Sequence, residues 1–170
     1  YPLRRQRQMC IRDRYWDKTY QKEQQEAFTK QIAWALAYDL PIVIHCRDAF
    51  DEIFEVLEGV EDARLRGIFH CFTGDAKQAQ RAIEFNMLLG IGGVVTFKNS
   101  GLAQTLANIT MEHIVLETDA PYLAPTPFRG KRNESSYITY VAEKVALIHN
   151  ISLAQVAKQT TENAKNLFGL

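Results

Sequence analysis

Pro41-Ile42-Val43-Ile44-His45 is a short, unbroken apolar run closed by a histidine, and the pattern recurs along the chain. Gly67-Ile68-Phe69-His70 ends the same way, and Ile114-Val115-Leu116-Glu117-Thr118-Asp119 ends on acidic side chains. Continuous β-branched stretches of this length are the mark of strands buried on both faces of a parallel sheet. A polar residue closing such a stretch sits at the strand's carboxyl end, the edge where α/β folds bind ligands. Two imidazoles and a carboxylate converging there make a donor set suited to a divalent metal.

The segments between the runs read as helices. From Trp16 to about Tyr38, Phe28, Ile32, Ala35 and Leu36 recur at helical spacing. Asp48 through Leu57 places Phe50, Ile53, Phe54 and Leu57 on one face, and Ala76–Phe85 forms another helix ending near Asn86. A further strand, Met87–Ile91, runs into Gly92-Gly93, and a short helix spans Leu102–Ala107. Tyr137–His149 and Ser152–Phe168 close the chain, the latter with Ser152 as a candidate N-cap. The strands therefore fall at Pro41–Cys46, Gly67–Cys71, Met87–Ile91 and Ile114–Glu117. Strand and helix alternate four times, which calls for an α/β fold with a parallel sheet. Four such units are half of a (β/α)₈ (TIM) barrel, and a full barrel typically needs about 250 residues.

Composition narrows the class. An apolar content of 46% over 170 residues is ordinary for a globular domain. No apolar run approaches the roughly 20 residues of a membrane span, so no membrane partner is expected. Three cysteines without CxxC spacing fit a reducing cytoplasm better than a disulfide framework. The net charge is zero, yet residues 1–14 carry five arginines against one aspartate, +4, leaving −4 for residues 15–170. That opening segment, YPLRRQRQMCIRDR, shows neither helical nor strand periodicity. It reads as a disordered basic tail or as sequence foreign to the domain, and it is set outside the fold.

Taken singly, His45 or His70 reads as a satisfied core histidine. Two at equivalent strand ends, each followed by a cysteine and a polar loop, change the balance. Alternation sends each histidine and the cysteine after it to opposite faces, so Cys46 and Cys71 read as small buried hydrophobes rather than nucleophiles. Asp119 can hold a metal, accept a proton from metal-bound water, or serve as a turn residue. Glu117 shares its strand parity and faces inward one layer deeper. His113 reads as a loop residue and His149 as a cation at a helix carboxyl end. Arg47 can meet a phosphate oxygen or form a helix-start salt bridge. The Phe128–Asn133 loop is either a clamp for a nucleic-acid backbone or a solvated charge run. Gly90, Gly92 and Gly93 suggest close approach of backbone to substrate, or a tight turn.

Four motifs carry a resemblance: His45-Cys46-Arg47-Asp48-Ala49, His70-Cys71-Phe72-Thr73-Gly74, Glu117-Thr118-Asp119-Ala120-Pro121-Tyr122-Leu123 and Arg132-Asn133-Glu134. In this order they resemble the TatD family of metal-dependent deoxyribonucleases, from Tyr15 to the carboxyl terminus. The resemblance implies a (β/α)₈ barrel of the amidohydrolase type that hydrolyses DNA phosphodiesters. It implies divalent ions (Mg²⁺, Mn²⁺ or Zn²⁺, two in the complete enzyme) held by His45, His70 and Asp119, with Asp119 as the base. Arg47, Arg132, Asn133 and Glu134 become substrate contacts. The family's His-x-His strand and a later metal-holding glutamate have no counterpart, and Met9 stands roughly at that glutamate's place. The expectation is thus a partial barrel: residues 15–170 as the carboxyl-terminal half, about its last four βα units. As it stands such a chain is impaired, or an inactive module prone to self-association; a related amidohydrolase acting on lactones or C–N bonds is the other alternative.

Overall fold

The structure is a computed structural model describing residues 20–170 and, as backbone, the strand Arg7–Ile11. Five strands form one parallel sheet in sequential order: β1 (Arg7–Ile11), β2 (Ile42–Cys46), β3 (Gly67–His70), β4 (Met87–Ile91) and β5 (Ile114–Leu116). Between them run α1 (Gln21–Ala37), α2 (Phe50–Glu58), α3 (Ala76–Glu84) and the short α4 (Leu102–Leu106). After β5, α5 (Ile138–His149) and α6 (Leu153–Phe168) close the chain. Parallel neighbours in chain order, joined by helical crossovers, are the arrangement of part of a (β/α)₈ barrel.

One strand overturns an expectation. Arg7–Ile11 pairs in parallel with β2, Met9 opposite Ile44 and Cys10 opposite His45, whereas the sequence pattern places residues 1–14 outside the fold. RQMCI alternates too little to announce itself, and its pairing comes from the exposed edge of β2, a template that local pattern does not reveal. Trp16, expected to open the first helix, lies outside the described residues.

Strand alternation divides the sheet into two faces. Ile42, Ile44, Cys46, Phe69, Met87, Leu89, Ile91 and Ile114 join the main core against the helices. There Phe50 and Phe54 of α2 pack on Phe69, with ring centroids 5.9 and 5.8 Å apart. Burying an aromatic side chain of this size contributes about 1.5–3 kcal/mol. The opposite face carries Ile68 and Val115, which pack with Leu167 from α6. His45 and His70 follow that parity at the carboxyl ends of β2 and β3 and stand opposite one another in register.

Local chemistry sets the element ends. Asp75 and Ser152 each form a reciprocal capping box, with Gln78 and Gln155 three residues on. Asn86 and Asn150 leave their helices with φ of 57° and 52°, a conformation asparagine tolerates. Asn163 of α6 donates to the carbonyls of Met111 and Ile114 at 2.7 and 2.8 Å, tying the last helix to the start of β5. β3 ends one residue earlier than expected because Cys71 turns to φ 48°. Among the described residues no helix is long and apolar enough to cross a membrane.

Candidate metal centre

His70, at the end of β3, is held from both sides. Its Nδ1 lies 2.9 Å from Glu117 Oε2, and its Nε2 lies 3.5 Å from Asp119 Oδ1. The other Glu117 oxygen, Oε1, accepts the backbone N–H of Cys71 at 2.8 Å. Glu117 thus uses one oxygen to orient the ring and the other to fix the turn that ends the strand. A carboxylate on Nδ1 places the ring proton there and leaves the Nε2 lone pair directed at Asp119, the usual support of a metal-binding histidine. The hydrogen bond to Glu117 raises the His70 pKa above its ordinary value, against the opposing effect of burial.

Glu117 fits because the backbone beneath it is bare. A Cβ on Gly90 would stand 2.5 Å from Glu117 Oε2. The close approach expected at these glycines is therefore to site side chains and their loop. At Gly93 a Cβ would lie 2.1 Å from the carbonyl oxygen of Leu123.

His45 neighbours this pair, with its ring centroid 5.8 Å from that of His70. Its Nδ1 is buried and has no hydrogen-bond partner among the described residues. A buried ring nitrogen without a partner is costly unless something binds it, and a divalent cation is one such occupant. Among the described residues, no three His, Cys, Asp or Glu side chains stand close enough to close a metal cage by themselves. The donor types fit a divalent ion, and their number fits a site that keeps open positions.

Asp119 adopts φ 54° and is about one-third exposed. Its carbonyl accepts the N–H of Tyr122 at 2.9 Å, so the residue opens a tight turn. Asn133 holds that turn. Its Nδ2 donates to the carbonyls of Thr118 and Tyr122 at 2.5 and 2.6 Å, and its own N–H donates to Pro121 O at 3.0 Å. At 3% exposure Asn133 faces the loop interior. Its amide is engaged by main-chain carbonyls, a role that composition does not reveal.

Arg47, Arg132 and Glu134 are exposed. Glu134 Oε2 accepts from Ser136 Oγ at 3.4 Å. Arg129 stacks its guanidinium 3.5 Å from the Phe97 ring centroid, and Phe128 stacks on Tyr137 at 4.2 Å. Burial pushes the Cys46 and Cys71 thiols up to about 12, so neither is a nucleophile at neutral pH. His149 departs from its reading as a helix-end cation. Its Nε2 is buried without a partner among the described residues, and burial lowers its pKa.

The sequence profile of the family described as TatD related DNase matches residues 5–169. The chain belongs to the TatD family. The match takes in residues 5–14 and thus includes β1, so the likeness extends beyond Tyr15 and gives no support to reading the chain as only the carboxyl-terminal part. An uncharacterized metal-dependent hydrolase, YabD of Bacillus subtilis, is 44% identical over 157 residues, covering 92% of this chain and 62% of that protein. The 3'-5' ssDNA/RNA exonuclease TatD of Klebsiella pneumoniae is 33% identical, covering 88% of this chain and 59% of that TatD. Among solved structures, the TatD homolog YJJV of Escherichia coli superposes with a TM-score of 0.86 at 25% identity, covering 96% of this chain and 62% of that one. The chain thus spans about three-fifths of the length of the TatD relatives it matches.

Proposed function

We propose that this chain carries part of the divalent-metal centre of a TatD-type hydrolase that cleaves DNA phosphodiester bonds. The observation that carries the reading is His70, latched to Glu117 through one nitrogen and directed at Asp119 through the other. In this reading His45, through the Nδ1 that has no partner among the described residues, His70 and Asp119 hold the ion. When bound, Mg²⁺, Mn²⁺ or Zn²⁺ supplies Lewis-acid polarisation of a phosphoryl oxygen and makes water more acidic.

The chain's own residues do the rest. Glu117 fixes the tautomer of His70 and keeps its Nε2 free to ligate. Asp119, presented by a turn that Asn133 clamps, accepts the proton of the water that attacks phosphorus. Arg47 and Arg132, exposed on the neighbouring loops, suit the phosphate backbone of DNA, and the carboxylate of Glu134 suits a sugar hydroxyl better than a phosphate. The relatives are named metal-dependent hydrolases, and one is named an exonuclease, which agrees with this assignment.

The test is hydrolysis of a single-stranded oligonucleotide with added Mn²⁺ or Mg²⁺, compared among the unmodified protein, His70→Ala and Asp119→Asn. Metal-dependent cleavage that both substitutions abolish supports the reading. Cleavage that survives Asp119→Asn contradicts it.

A further inference from the structure

We propose that Tyr122 is a stacking platform for an unpaired nucleobase beside the scissile phosphate, an inference that rests on the nuclease reading above. Tyr122 is 72% exposed, yet its backbone is pinned at both ends. Its N–H donates to Asp119 O at 2.9 Å, and its carbonyl accepts from Asn133 Nδ2 at 2.6 Å. Leu123, which follows, is fixed at φ 53°, with its carbonyl where a Gly93 side chain would stand.

A single exposed aromatic is unremarkable on a mobile or distant surface. Here the ring is presented by a rigid turn whose first residue is the candidate metal ligand. A turn closed by an i to i+3 hydrogen bond keeps its end Cα atoms within about 7 Å. Whatever phosphate reaches Asp119 therefore brings its own or the adjoining base within reach of Tyr122. The other aromatic of this loop, Phe128, is engaged with Tyr137 and Tyr140 at 4.2 and 5.2 Å. Tyr122 is left facing solvent, a planar surface at the rim with no ring contact among the described residues. Stacking of this kind recognises every base through its π-face and requires a base that is not already stacked in a duplex.

The experiment measures binding of fluorescently labelled oligonucleotides to metal-free protein by anisotropy. It uses two ligands of equal length: a base-bearing single strand and its abasic counterpart. The unmodified protein binds the base-bearing strand more tightly, and Tyr122→Ala weakens that binding roughly 5- to 150-fold while leaving abasic binding unchanged. Tyr122→Trp and Tyr122→Phe retain the preference. Equal loss on both ligands assigns Tyr122 a loop-shaping role and overturns the inference, as does no loss on either. An unmodified protein that binds neither strand overturns the nuclease reading itself, which separates the two failures.

Discussion

Gly90 lies so close to Glu117 that a side-chain carbon on it would stand 2.5 Å from Oε2, the oxygen that latches His70. The carboxylate is the movable partner in that contact, so a methyl there pushes it aside and releases the ring. Gly90→Ala is expected to lower divalent-metal affinity by about 10- to 100-fold, the usual cost of losing a supporting partner. Titration calorimetry with Mn²⁺ measures it, alongside Glu117→Gln, which should show the same deficit. Unchanged affinity in both variants means that Glu117 does not position His70.

Asn133→Ala is a loop substitution with the consequences of a core one. It removes two hydrogen bonds, to the carbonyls of Thr118 and Tyr122, from a side chain only 3% exposed, and at about 0.5–1.5 kcal/mol each their loss costs about 1–3 kcal/mol. Denaturant unfolding should show a loss of that order. A surface change elsewhere on the same loop, Lys131→Ala, should stay within about 0.5 kcal/mol.

The His70–Glu117 pair gives the metal-free protein a pH signature. The folded-state pKa of His70 is raised above the unfolded value of about 6.5, so the folded state holds this proton more tightly. The pair's stabilisation is therefore complete below about pH 6.5 and is lost as pH climbs through the raised value. Urea midpoints measured from pH 5.5 to 8.5 without metal should decline across that window, and Glu117→Gln should flatten the decline. Metal affinity runs the other way, because protons compete for Nε2.

Cys46 and Cys71 follow a His in matching motifs, and both thiols are pushed by burial to about 12. Alkylation by iodoacetamide at pH 7.5, mapped by peptide mass, should leave both largely unmodified in the folded protein and label them rapidly after denaturation. Fast native labelling of Cys71 contradicts its described environment.

Much of this architecture was legible because periodicity is a strong signal where burial is complete. Ile42–Cys46, Met87–Ile91 and the Phe50, Ile53, Phe54 and Leu57 stripe on α2 fall where apolar spacing places them. The strand Arg7–Ile11 was not, because its pairing depends on an edge made by residues 42–46, and its own pattern is broken by polar side chains. Asn133 stood out only as a candidate substrate contact, and its clamp on the turn was not legible because its partners are backbone carbonyls, which leave no trace in composition. Glu117 was readable only as far as strand parity. That Gly90 makes room for it belongs to the neighbouring strand.

The most direct test concerns which nitrogens take the metal. The chain has four histidines, so long-range ¹H–¹⁵N correlation during a Zn²⁺ titration can follow every ring. The expected result is that His45 Nδ1 and His70 Nε2 shift together and saturate at a common concentration, while His113 and His149 stay in place, and that Asp119→Ala weakens the response. Shifts confined to His113 or His149, or none at His70 Nε2, contradict the assignment.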